Sequence, residues 1–126
     1  MALDMKVREK KESTVIQLIG RVIGVDGEKF SKKLDGVYSK RKKRLILDMS
    51  NVTFLDSHGL GTIVYYFHSM QKEKRDFVIL NTNPDPTTYV KRLFELTNLD
   101  KILTIVSTVD EAQKKTFGAP LNKGGG

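Results

Sequence analysis

At 126 residues the chain fits one domain with one core. It has no cysteine, which excludes disulfides, thiolate metal sites and thiol nucleophiles. A net charge of +7 suggests nucleic acid or an anionic membrane surface as partner, but five of the positive charges form one run, Lys40-Arg41-Lys42-Lys43-Arg44. No aromatic residue is interleaved there for base stacking, so the run reads as a solvated connector rather than a direct nucleic-acid contact.

Leu3, Met5 and Val7 alternate with Asp4, Lys6 and Arg8, the period-2 pattern of a half-buried strand. Lys11-Glu12-Ser13 is a turn, and residues 14–20 read as a second strand, so the pair is expected to be an antiparallel hairpin. Gly20 and Gly24 bracket a flexible connection. From Asp26, the expected N-cap, Phe30, Leu34, Val37 and Tyr38 mark one face of a helix. After the basic run, residues 45–49 form a short apolar stretch of the kind buried on both faces of a sheet. The clearest helix begins around Ser57, with Leu60, Ile63, Val64, Phe67 and Met70 at spacings of three and four, and fades in residues 71–74. Residues 77–80 are another buried strand. Residues 81–86 carry turn chemistry into a helix with Val90, Leu93, Phe94 and Thr97 on one face. Residues 102–106 make a last strand. Thr108 can cap a terminal helix containing Val109, Ala112 and Phe117, and Gly118-Ala119-Pro120 stops it.

The expected order is β-β-α-β-α-β-α-β-α: an α/β domain over residues 1–117 with one mixed β-sheet, then a disordered C-terminal tail over 118–126. The charged amino terminus has no signal-peptide-like apolar run, and nowhere do eighteen apolar residues follow one another. The chain is therefore read as a cytoplasmic protein with no membrane span, monomeric by default.

In open sheets functional residues collect beyond the carboxyl ends of the strands, which directs attention to residues 48–61. Asp56 and Ser57 stand just before the strongest helix, and Gly59 and Gly61 remove side chains from its first turn. That places a hydroxyl at a helix amino terminus, where backbone N–H groups and the helix dipole favour negative charge. Read from spacing alone, Ser57 or Asp56 is equally an N-cap, and the glycines equally allow close helix–sheet packing. A hydrolase is not supported. Adjacent Asp56, Ser57 and His58 cannot form a triad, and His68 lies about 16 Å farther along the helix by its rise per residue.

The same stretch carries a more specific signal. Asp48-Met49-Ser50, then Val52-Thr53-Phe54-Leu55-Asp56-Ser57-His58-Gly59-Leu60-Gly61, resembles the signature of STAS domains, and more narrowly of bacterial anti-sigma factor antagonists. The resemblance runs from about Leu3 to Ala112 and includes Leu93-Phe94 and the segment 96–102. It implies a non-enzymatic partner switch in transcription regulation. Unphosphorylated, such a protein binds an anti-sigma factor serine kinase and releases a sigma factor. The kinase phosphorylates the serine that corresponds to Ser57, and a separate serine phosphatase resets it. Cofactors then belong to those partners, with none expected here and no metal site. Asp56, Ser57, His58, Gly59 and Leu60 are the implied partner-binding residues. The alternative within the same fold is an accessory subunit of a membrane transporter or a stress-sensing scaffold. Three features depart from the pattern: His58 where a small residue is common, no acidic residue in 20–24, and the basic run at 40–44.

Overall fold

A computed structural model describes residues 2–114. The elements are β1 (Asp4–Glu9), β2 (Ser13–Val22), α1 (Gly24–Ser39), β3 (Arg44–Leu55), α2 (Ser57–Lys72), β4 (Asp76–Leu80), α3 (Tyr89–Leu96), a 3-10 turn (Leu99–Lys101), β5 (Thr104–Val106) and α4 (Val109–Lys114). They form one five-stranded sheet in the order β1-β2-β3-β4-β5. β1 and β2 are antiparallel, and every later pairing is parallel. The expected α/β order with a single mixed sheet is therefore what the chain adopts. Phe117 and the tail at 118–126 lie outside the described residues.

Sequential strands joined by crossovers of one hand must carry their helices on one face. The core is built that way. Phe30, Leu34 and Val37 of α1, Ile63, Phe67 and Met70 of α2, and Val90 and Phe94 of α3 pack on Ile16, Leu18, Leu45, Leu47, Phe77 and Ile79 of the sheet. The alternate residues Ile46, Val78, Leu80 and Val106 point to the other face, where Ala112 of α4 covers them. β3 and β4 are thus buried on both sides, as their continuous apolar runs require.

Several expected boundaries move. β2 continues to Val22, with Gly20 at φ 104 beside a register irregularity rather than at the start of a loop. β3 runs twelve residues, because Asn51, Val52, Phe54 and Leu55 pair with Ile19, Gly20, Arg21 and Val22. Asp26 does not cap α1. Ile23 holds that position without a side-chain bond, and Asp26 instead accepts a hydrogen bond from the Leu3 N–H at 3.3 Å. Thr97 is the exposed C-cap residue of α3, its hydroxyl bonded back to the Leu93 carbonyl. The last strand is three residues, preceded by the 3-10 turn, and Ile102 is 60% exposed. Thr108 does cap α4, accepting from the Glu111 N–H at 3.1 Å, while Val109 faces outward.

The basic run at 40–44 is not a free connector. Lys40 and Lys42 both reach Glu9, Arg41 lies 3.7 Å from Glu73, and Arg44 lies 3.1 Å from Asp76. The two lysines, with the Thr14 hydroxyl, pull the Glu9 carboxyl down to about 2. Beneath the run Arg75, 8% exposed, donates to the Lys42 carbonyl, the Glu73 carboxylate and the Tyr38 carbonyl, its guanidinium 4.9 Å over the Tyr38 ring. These bonds staple the ends of α1 and α2 to the amino-terminal edge of the sheet, at the opposite end from Ser57.

Candidate functional site

The sheet's carboxyl end is organised by Asp56. Its backbone N–H donates to the Val22 carbonyl at 3.1 Å, which fixes the residue beside the end of β2. One carboxylate oxygen accepts from the Gly59 N–H at 2.8 Å, so Asp56 is the N-cap of α2. The other accepts from the N–H of Gly24, first residue of α1, at 3.1 Å. Gly24 has φ +55, a conformation that L side chains rarely adopt. A single carboxylate therefore satisfies orphan donors at the heads of two helices. These bonds, the one to Gly59 foremost, hold its pKa below the ordinary aspartate value.

Because Asp56 takes the cap, Ser57 does not. Ser57 is the first residue of α2 and exposed, and its hydroxyl makes no hydrogen bond among the described residues. His58 is also exposed; its ring lies 3.6 Å from where a Cβ on Gly27 would stand, and its carbonyl accepts from the Thr62 hydroxyl at 3.0 Å. Gly59 is buried for a steric reason. A Cβ there would come within 2.7 Å of Leu55 Cδ1 and 3.2 Å of Val22 Cγ1. Leu60 is half-buried against the core. The five residues expected at the site are contiguous, but they divide: Ser57 and His58 present atoms to solvent, whereas Asp56, Gly59 and Leu60 build the support beneath them.

A Cβ on Gly61 would meet nothing within 4 Å, so this glycine serves no packing purpose; instead it keeps the surface beside Ser57 open. Ser57, Gly61 and Tyr65 follow at i, i+4 and i+8 along one helix face. With His58, Thr62, Tyr66 and Ser31 of α1 they line a shallow groove of about 470 Å³. Tyr65 is 65% exposed, and Tyr66 beside it is tied to α1 through Asp35 at 2.8 Å. Ser31, Thr62, Tyr65 and Tyr66 were not singled out from sequence. The usable signal was an aromatic off the apolar stripe, in phase with Ser57 and Gly61.

Asp48 and Ser50, earlier in the same motif, are structural. Asp48 accepts from the Ser50 N–H and hydroxyl, and the Ser50 oxygen accepts from the Thr82 N–H at 2.9 Å, tying β3 to the loop after β4. On the far side of α2 from the groove, Tyr89 donates to the Leu55 carbonyl at 2.8 Å and stacks on Phe54 with centroids 5.3 Å apart. Among the described residues no three His, Asp or Glu side chains group as metal ligands, and no helix is long and apolar enough to cross a membrane.

Comparison with known proteins places this geometry in context. The STAS domain profile matches residues 4–112. A Thermotoga maritima protein provisionally named an anti-sigma factor antagonist is 28% identical over 106 residues, 82% of this chain and 90% of the relative. The crystal structure of an anti-sigma factor antagonist from Mycobacterium paratuberculosis superposes with a TM-score of 0.77 at 24% identity, covering 89% of this chain and 92% of that one. The phosphorylated form of a Bacillus cell fate determinant, SpoIIAA, superposes with a TM-score of 0.65 at 20% identity, covering 87% and 96%.

Proposed function

The chain belongs to the STAS domain family, and on that premise we propose that it is a cytoplasmic, non-enzymatic anti-sigma factor antagonist whose partner switch is Ser57. Unphosphorylated, it binds an anti-sigma factor serine kinase through Ser57, His58 and the groove they border, freeing a sigma factor. The kinase phosphorylates Ser57 and the complex separates; a serine phosphatase restores the hydroxyl. The names of the Thermotoga and Mycobacterium proteins support the partner class, and the phosphorylated Bacillus protein supports covalent control within this fold.

The observation that carries this reading is the division of labour between Asp56 and Ser57. Asp56 makes the cap bond, so modifying the exposed Ser57 hydroxyl breaks no bond of the fold. A phosphoryl group adds about −1.5 to −2 charge at a helix amino terminus, where the dipole tolerates it. A partner docked over the same spot would instead bury that charge next to ionised Asp56. A penalty of about 2.8 kcal/mol is enough to weaken binding a hundredfold, and an unpaired interfacial charge costs at least that.

The test is incubation with the candidate anti-sigma kinase and ATP, with phosphate located by mass spectrometry and Ser57→Ala as control. One phosphate on Ser57, none on the variant, and at least a hundredfold loss of kinase affinity on modification are expected. Phosphate on another residue would refute the site, and the absence of both binding and phosphate would refute the function.

A further inference from the structure

The end of the sheet opposite Ser57 has a charge the proposed switch does not use. Residues 9–12, 40–44 and 72–76 form the β1–β2 turn and the α1–β3 and α2–β4 connections, brought together by the pairing of Ser13 with Arg44 and of Arg44 with Asp76. They carry ten basic and four acidic side chains, a net of +6. The rest of residues 2–114 holds ten basic and eleven acidic side chains, a net of −1. Among the described residues the net positive charge is therefore confined to one pole. The carboxyl ends of α1 and α2 lie there too, and each offsets it by only about half a charge.

Within this pole the charges are of two kinds. The three arginines, each paired to Glu73 or Asp76, and Lys40 and Lys42, both paired to Glu9, are fixed. Lys10, Lys11, Lys43, Lys72 and Lys74 are exposed and have no acidic side chain within 4 Å among the described residues. Free lysines on three adjacent turns form a diffuse field of point charges, not the planar fork that reads one carboxylate or phosphate. None of the exposed large hydrophobics, Val25, Phe54, Tyr65, Leu96, Ile102 and Val109, belongs to these turns. A protein interface would lack its apolar anchor there, and nucleic acid would find no exposed ring to stack on. An anionic bilayer needs neither.

We propose that this pole docks the protein reversibly on an anionic lipid surface, with Ser57 and its groove facing away from the membrane. The switch end then stays open to soluble partners while the domain is held at the surface. The inference is independent of the role of Ser57, since it rests on charge at the other end of the sheet.

The test is co-sedimentation of the full chain with phosphatidylcholine vesicles containing or lacking about 30% phosphatidylglycerol, enough to give the surface a negative potential. Binding is expected only with the anionic lipid at low salt, with release at high salt, because the exposed charges are screened. Each lysine near such a surface is worth about fivefold in partitioning. Hence Lys10→Gln/Lys11→Gln/Lys72→Gln/Lys74→Gln should weaken binding at least a hundredfold. Lys29→Gln/Lys32→Gln/Lys33→Gln/Lys91→Gln removes equal charge from other faces and should weaken it no more than about fivefold. All eight positions are exposed, so both variants should fold, and circular dichroism is the check. Equal loss in both variants would show net charge rather than a pole and overturn the proposal. So would failure to bind anionic vesicles at low salt, or tighter binding to a random duplex DNA than to the vesicles.

Discussion

Replacing Asp56 by alanine tests the core of the site directly. The substitution removes the 2.8 Å cap bond to the Gly59 N–H and the 3.1 Å bond to the Gly24 N–H. Loss of an N-cap costs about 1 kcal/mol, and the more exposed second bond about 0.5–1 kcal/mol. Together the expected loss is about 2 kcal/mol, a melting temperature lower by about 8 °C for a domain of this size. Asp56→Asn keeps an acceptor at a favoured cap residue and should lose no more than about 1 kcal/mol. The pH dependence separates the carboxylate from generic damage. Asp56 has a folded pKa below its unfolded value of about 4, so its stabilisation is complete above that pH and is lost as pH falls through the folded pKa. Urea unfolding at pH 7 should therefore show the full gap between wild type and Asp56→Ala. Below about pH 4 the gap should narrow as wild type comes to resemble Asp56→Asn. A gap under about 0.3 kcal/mol at pH 7, or one that widens on acidification, would refute the double-cap account.

Two nearby glycines of α2 should respond with opposite signs. Gly59→Ala gains about 1 kcal/mol of helix propensity but overpacks Leu55 and Val22 by about 2 kcal/mol, so its urea midpoint should fall. Gly61→Ala meets nothing, so the same scan should show it stabilised by about 0.5–1 kcal/mol, and under the proposed function its added methyl in the groove should weaken kinase binding. At the other end of the sheet, Arg75→Ala leaves the Lys42 and Tyr38 carbonyls without their guanidinium donor and should cost about 2–4 kcal/mol in urea unfolding. Arg75→Lys should recover less than half of that, because an ammonium cannot make the same planar set of bonds.

Where local pattern and tertiary role coincide, the sequence was readable. The stripe through Ile63, Phe67 and Met70 identified α2, and the alternation of Leu3, Met5 and Val7 identified β1, because both patterns are set by one buried face. The second half of β3 was hidden. Its inward residues Met49, Val52 and Leu55 step by three across two register shifts, so neither a period of 2 nor one of 3.6 fits. The start of α1 was hidden for a different reason. Its orphan N–H is satisfied by a carboxylate 32 residues later, whereas local sequence offers only Asp26 as a cap.

The same contrast holds for charge. The run at 40–44 reads in sequence as a solvated connector without partners, because its acidic partners Glu9, Glu73 and Asp76 are scattered along the chain and meet it only through sheet register. Conversely, Lys10, Lys72 and Lys74 look ordinary in sequence yet have no acidic partner among the described residues once the fold assembles. At the opposite end, Asp56 and Ser57 are neighbours that spacing alone cannot tell apart as the cap. Only the bonds to Gly59 and Gly24 assign the structural task to Asp56 and leave the Ser57 hydroxyl exposed. A residue that stabilises nothing in its unmodified state can be modified without unfolding the domain, and this is the physical requirement for a reversible switch on so small a protein. The bonds of Arg75 meet the complementary requirement of the proposed switch, because they tie down the sheet's other end with groups remote from Ser57.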